Sequence, residues 1–183
     1  AMTGGVKKKR GVLIASEFVI KGGDGFRPAV SEYHLKTLER YETLKPGDTT
    51  KIGNITVTAT PTKHREPSGI GFILEGSSRI GYTSDSEIID EMYKYFKDLD
   101  CLIANVLRPR GRTWPEHMNT EDCARFVSKI RPKLLIIQHF GMLMLRANPK
   151  KEAEWIEKES GVKTVAAEDG MRIEIDRGLE RFL

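Results

Sequence analysis

Asn54-Ile-Thr-Val-Thr-Ala-Thr-Pro-Thr-Lys-His-Arg-Glu-Pro-Ser-Gly-Ile-Gly-Phe-Ile-Leu-Glu-Gly-Ser-Ser-Arg-Ile-Gly-Tyr-Thr-Ser-Asp85 decides how this chain folds. It reads as three short strands in succession, the first followed by His64 and the third by Asp85. From Ile55 to Thr60, Val and Ile alternate with Thr, the period-2 pattern of a strand with one polar face. Ile70 to Leu74 and Arg79 to Thr83 repeat that β-rich composition, and Glu75-Gly-Ser-Ser78 is hairpin-turn material. Antiparallel pairing can bring the chain after one strand and the end of another to the same rim of a sheet. His64 and Asp85 are therefore candidates for one site.

Upstream, the apolar run from Gly11 to Ile20 reads as a strand, and Lys21-Gly-Gly-Asp-Gly25 as a connecting or substrate-side loop. That loop is not a P-loop, since no Gly-Lys-Ser/Thr ending follows it. Ser31 to Leu44 carries no clean period, and Lys45-Pro-Gly-Asp48 has Pro and Gly where a type II turn places them. Downstream, Ser84 with Glu87 fits a capping box for a helix reaching Leu99. In that reading Asp85 is simply a carboxylate favoured in a first helical turn. Cys101 to Val106 is a buried strand. Leu107 to Met118 is irregular and places Arg108, Arg110 and Arg112 beside Trp114 and His117, a combination suited to an anionic or aromatic ligand. Asn119 to Arg131 is an amphipathic helix ended by Pro132. Leu134 to Ile137 is a buried strand delivering His139, Ala147 to Ser160 is a helix closed by Gly161, and Val162 to Ala166 and Met171 to Ile175 are short strands.

Length and composition set the bounds. A chain of 183 residues holds one substantial core, so residues 1–183 are read as a single domain. The excess of 30 basic over 26 acidic residues tilts the surface toward anionic partners, but the charges are interspersed rather than blocked. Cys101 and Cys123 follow no metal-ligand spacing and read as buried thiols in a reducing compartment. No apolar run reaches the ~18 to 20 residues of a membrane span, and no signal-peptide pattern opens the chain. A cytoplasmic location with no membrane contact is the expectation.

Of four histidines, His64 and His139 each follow a strand, as Asp85 does, while His117 precedes a helix. Imidazoles and a carboxylate on strand ends are what a borderline-soft divalent metal requires, because a sheet fixes ligands that must converge to ~2.0 to 2.2 Å.

At these residues the sequence resembles the metallo-β-lactamase fold hydrolases. Thr60-Pro-Thr-Lys-His64 before Gly69-Ile-Gly-Phe-Ile-Leu74 resembles the family's third metal motif, and Gly81-Tyr-Thr-Ser-Asp-Ser86 the fourth, whose aspartate bridges two metals. Leu134-Leu-Ile-Ile-Gln-His-Phe-Gly141 is similar to the fifth, and Glu116-His-Met-Asn-Thr-Glu-Asp122 to the segment preceding it. The resemblance implies an α/β (α+β) fold, with mixed β-sheet layers flanked by helices, part of a four-layer αββα architecture. It also implies a hydrolase using one or two Zn²⁺ ions, with Mn or Fe as alternatives, on an ester, amide or phosphodiester. In that scheme His64 and His139 bind one metal each, Asp85 binds both, and His117 is a candidate general acid by position.

The family's His-x-His-x-Asp-His motif does not occur in this sequence. Ala1 to Gly5 looks like the chain taken up just downstream of it, so the expectation is a C-terminal portion, inactive and weak in metal binding until an N-terminal half or second chain completes it. Two other readings stand beside this one. A basic anion- or nucleic-acid-binding module would use Lys7 to Arg10 with Arg108, Arg110 and Arg112, and a structural half completed by another chain would expose a large apolar face.

Overall fold

The computed structural model describes residues 11–175. The basic run at Lys7 to Arg10 and the junction at Ala1 to Gly5 lie outside the described residues.

The first strand is shorter than the sequence predicts. β1 (Val12–Ala15) stops at Ser16, whose extended backbone caps α1 (Glu17–Lys21), so the apolar run to Ile20 is half strand and half helix. Glu17 in the first turn and Lys21 in the last suit the helix dipole and pair with each other at 3.0 Å. The unpatterned stretch that follows resolves into α2 (Glu32–Thr37) and β2 (Arg40–Thr43), the latter parallel to β1 in a two-stranded sheet. Lys45 to Asp48 is the expected turn: Asp48 N–H donates to the Lys45 carbonyl at 2.9 Å, and Gly47 takes φ +94°.

β3 (Thr49–Ile52), β4 (Ile55–Pro61), β5 (Ile70–Glu75) and β6 (Arg79–Tyr82) then form an antiparallel meander. The helix predicted over Ser84 to Leu99 is confined to α3 (Met92–Tyr95). Ser84 has φ +56° and caps nothing. The stretch after it is tied back onto the β4 exit instead: Lys63 N–H donates to Ser86 Oγ at 2.8 Å and Glu87 N–H to the Lys63 carbonyl at 3.1 Å. Those long-range bonds replace the helical ladder that the apolar spacing suggested.

β7 (Cys101–Arg108) and β8 (Met118–Asn119) come next, then α4 (Thr120–Ile130) and β9 (Leu134–Gln138). The capping box that failed at Ser84 occurs at α4, where Asn119 Oδ1 accepts from Asp122 N–H at 2.8 Å and Asp122 Oδ2 from Asn119 N–H at 3.3 Å. α5 (Met142–Ala147), α6 (Pro149–Ser160) and β10 (Thr164–Ala166) complete the elements. The strand expected at Met171 to Ile175 is absent. Ile173 and Ile175 instead pack on the sheet as irregular chain.

The main sheet runs β10-β9-β7-β6-β5-β4-β3, with β8 beside β7. It is mixed, antiparallel through β3 to β6 and parallel through β6, β7, β9 and β10. Leu102, Ala104 and Val106 of β7 and Leu135 and Ile137 of β9 face the principal core under α4 and α6. Cys101, Leu134 and Ile136 point the other way, into a cluster with Ile173 and Ile175. Both faces of these strands are covered, which is why they read as unbroken apolar runs. A smaller cluster of Leu44, Ala59 and Ile70 joins β4 and β5 to Ile14 of the two-stranded sheet. The result is the expected α/β body of sheets flanked by helices.

Strand direction creates the site. Because β4 and β6 each run antiparallel to β5, and β6, β7 and β9 are mutually parallel, β4, β6, β7 and β9 all end at one rim.

Candidate metal centre

Three of the chemistry-bearing residues sit just past those strand ends, and the fourth lies at the start of β8 on the same rim. His64 follows β4, Asp85 follows β6, His139 follows β9, and His117 precedes β8, whose Met118 pairs with Val106 of β7. Three of them, His64, Asp85 and His117, place donor atoms within 4.8 Å of one another. His139 Nε2 lies 3.3 Å from Asp85 Oδ1. The His117 ring meets His64 edge to face at 4.9 Å and stacks on His139 at 6.0 Å. All four sequence candidates thus share one cluster.

The backbone around the cluster is unusual. Ser84, Glu116 and His139 have φ of +56°, +65° and +63°. Non-glycine residues in this region cost on the order of 1 kcal/mol or more each and gather where function over-determines the chain.

Two supports escape any sequence pattern. Asn105, 6% exposed near the end of β7, donates Nδ2–H to Asp85 Oδ1 at 2.6 Å, and its own Oδ1 accepts from Gln138 Nε2 at 3.0 Å. Its backbone N–H donates to Thr83 Oγ1 at 3.1 Å, anchoring the chain just before Asp85. The available signal was a lone amide inside an apolar strand, since a buried polar side chain needs a partner. Glu87 is the second support. Its carboxylate pairs with Lys63 Nζ at 2.6 Å and accepts from Glu116 N–H at 3.0 Å, tying the residue before His64 to the residue before His117. The hydrogen bond from Lys63, then that from Glu116, hold the Glu87 carboxyl below its ordinary range despite some burial.

His117 Nδ1 lies 3.0 Å from the Pro115 carbonyl, which assigns the ring proton to Nδ1 and leaves Nε2 free to ligate or to exchange a proton. Two clefts flank the cluster. One of about 290 Å³ is lined by Ile14, Ser16, Thr62, His64, Glu66 and Asp85, and there Thr62 Oγ1 is buried with no hydrogen-bond partner among the described residues. The other, of about 590 Å³, contains His117 and Trp114.

The donor set fits a divalent ion: imidazole nitrogens and a carboxylate oxygen, close together, with the carboxylate oriented by an outer hydrogen bond. The cysteines take no part. Both are buried, and burial pushes the Cys101 thiol up to about 11 and the Cys123 thiol up to about 12. Among the three loop arginines, Arg110 is committed to the fold through Glu152 at 3.1 Å, which thins the cationic surface a nucleic-acid module would need. Among the described residues no helix is long and apolar enough to cross a membrane.

Residues 19–140 match the family model described as the beta-lactamase superfamily domain. An uncharacterised protein of Methanocaldococcus jannaschii is 36% identical over 185 residues, which covers 100% of this chain and 69% of that protein. Among solved structures, the metallo-beta-lactamase fold protein YhfI from Bacillus subtilis superposes with a TM-score of 0.64 at 20% identity, over 72% of this chain and 54% of that one. A diphosphatase from the PhnP family gives 0.68 at 19% identity, over 95% and 61%. A putative metal-dependent hydrolase from Parabacteroides distasonis gives 0.60 at 22% identity, over 87% and 76%.

Proposed function

The chain belongs to the beta-lactamase superfamily and has the metallo-β-lactamase fold, and on that premise we propose that it serves a metal-dependent hydrolase acting on an ester, amide or phosphodiester. The observation behind this reading is the convergence of His64, Asp85 and His117 within 4.8 Å, with His139 against the same carboxylate. A divalent ion held there, Zn²⁺ first and Mn or Fe as alternatives, would supply a water of pKa near ~7 and polarise the scissile bond.

The side chains take separate parts. His64 and His139 would hold the metal through their imidazole nitrogens, Asp85 would supply the carboxylate oxygen, and Asn105 keeps that carboxylate aimed. His117 is the general acid. With Nδ1–H held by the Pro115 carbonyl, Nε2 is the atom that gives its proton to the leaving oxygen as that bond breaks. The attacking water forms the new bond to carbon or phosphorus, and the proton it sheds restores His117.

For two ions sharing Asp85, these residues give each ion two protein ligands, below the roughly three of a catalytic zinc. The remaining donors are assigned to an N-terminal segment or a second chain, and metal binding by residues 1–183 alone is expected to be weak. Zinc analysis after dialysis, on this chain and on a version extended upstream, tests both statements, with Asp85→Ala in each. Zinc should be substoichiometric in the first, rise to about one or two ions in the second, and fall in both Asp85→Ala proteins. The extended protein should then hydrolyse bis(p-nitrophenyl) phosphate. Full zinc occupancy indifferent to Asp85→Ala overturns the reading.

A further inference from the structure

The loop between β7 and β8 contains more than His117. Trp114 stands three residues before it, and the two are locked in one tight turn, His117 N–H donating to the Trp114 carbonyl at 3.2 Å. The indole is 52% exposed, unusual for tryptophan in a folded chain. Arg108 lies over the ring with its guanidinium carbon 4.7 Å from the centroid. Among the described residues no carboxylate pairs with Arg108, whereas Arg110 and Arg125 are each engaged, by Glu152 and Asp122.

Trp114 and His117 both line the cleft of about 590 Å³, which falls in the range of small-molecule sites. The cleft is not a general anion trap. Glu87, Asp90 and Asp122 also line it, and Glu87 and Asp122 are held by Lys63 and Arg125. Its lining therefore pairs an aromatic face beside the proton donor with carboxylate hydrogen-bond acceptors, while Arg108, outside the lining, holds an unpaired cation against the indole. A group that fits it is planar, uncharged and rich in N–H donors, attached to an anionic ester that stays near Arg108 and the histidines.

We infer that this cleft is the leaving-group subsite of the hydrolase and that it takes the nucleoside of a nucleotide-type phosphodiester, its base against Trp114 and its phosphate against Arg108. The inference rests on the hydrolytic reading above and narrows its substrate class. Hydrolysis then joins the water oxygen to phosphorus and breaks the phosphorus–oxygen bond to the nucleoside. The freed oxygen takes its proton from His117 Nε2, and the products are a phosphate monoester and a nucleoside alcohol. A base–indole stack contributes about 1–3 kcal/mol by alanine substitution, enough to dominate selection at a small site.

The test reads binding without metal, by titration calorimetry of the chain with adenosine monophosphate and with ribose phosphate. Wild type should bind the nucleotide more tightly than the sugar phosphate. Trp114→Ala should weaken the nucleotide about tenfold and leave the sugar phosphate unchanged. Trp114→Phe, which keeps an aromatic face, should recover most of the loss, and circular dichroism should show all variants folded. Arg108→Gln should weaken both ligands alike. Equal affinity of wild type for the two ligands, or a nucleotide affinity indifferent to Trp114→Ala, overturns the inference. Failure here is distinguishable from failure of the hydrolase reading. Turnover of simple phosphodiesters without any Trp114-dependent preference for a base sinks the subsite alone, and the zinc analysis with Asp85→Ala stands apart from both.

Discussion

His139 Nε2 sits 3.3 Å from Asp85 Oδ1, although the strands that deliver them, β9 and β6, are not neighbours. β7 lies between them, and Asn105 of β7 bridges the gap by bonding both the Asp85 carboxylate and Gln138, the residue before His139. The Asp85 carboxylate is thus positioned from the buried strand that lies between β6 and β9.

Asn105→Ala removes that bridge. Outer partners of metal ligands are worth about 10–100-fold in metal affinity, so zinc affinity of the upstream-extended protein should fall by that factor while the proposed ligands remain. Gln138 Nε2 and the Thr83 to Asp85 segment lose support as well, and stability should drop by about 1–3 kcal/mol. Competition with a zinc-sensitive chelator and thermal unfolding measure the two effects. Unchanged affinity would mean that Asp85 is held by the loop alone.

His117→Gln separates ligation from proton transfer. If His117 acts as the acid, metal content should stay within about twofold of wild type while turnover of esters with poor leaving groups falls by about 10²–10⁴. Esters of p-nitrophenol, whose leaving oxygen needs little protonation, should be nearly spared. A loss of zinc equal to that of Asp85→Ala would instead make His117 a ligand, which its place among the donors permits.

Much of this arrangement was legible because strands with buried faces write their period into the sequence. β4 to β6, β7 and β9 were readable for that reason, and the residues just past their ends, His64, Asp85 and His139, were readable as a set. What failed has physical causes. β2 and β3 are short and largely exposed, so no apolar alternation marks them. Ile88, Ile89, Met92 and Phe96 imitate a helical stripe from Ser84 onward, yet the segment packs on the core mostly as irregular chain, held by bonds to Lys63 that local spacing cannot reveal. α5 was missed because it is apolar but exposed, with Met142 at 63% and Leu145 at 51%. Asn105 was passed over because periodicity shows only an apolar strand there; the cost of burying an unpaired amide was the one signal that could have found it.

Gly71→Ala probes the sheet that carries His64. β5 lies between β4 and β6, and a Cβ at Gly71 would come 2.6 Å from Thr60 Oγ1 and 2.6 Å from the Tyr82 carbonyl. The second of these is backbone and cannot swing aside, so overpacking should cost about 1–3 kcal/mol and lower Tm by about 2–10 °C. Gly76→Ala is the control, since its nearest neighbour, Ile55 Cγ1, is 3.5 Å from the added carbon. Equal Tm values for the two variants would show that the strands part more easily than their packing implies.

Glu152 gives the fold a dependence on pH. In the first turn of α6, only 4% exposed at its side chain, it accepts Arg110 N–H at 3.0 Å and the Arg110 guanidinium at 3.1 Å. Burial pushes its carboxyl up, but the bonds from the Arg110 backbone and guanidinium and from Thr120 together outweigh that, leaving the folded value below the ordinary 4.5. A carboxyl with a lowered folded value binds fewer protons than the unfolded chain, so its contribution is fully present above 4.5 and is lost as pH falls through the folded value. Glu152→Gln keeps the shape and removes the charge. At neutral pH it should cost about 1.5–3 kcal/mol, as for other hydrogen bonds to charged groups. The Tm gap to wild type should close as the solution is taken below the folded value. Because Arg110 opens the loop that ends in Trp114 and His117, any phosphodiester turnover by the upstream-extended protein should fall too, with its zinc content unchanged. A Tm gap that persists undiminished into acid would show that packing, rather than the carboxylate charge, holds that loop.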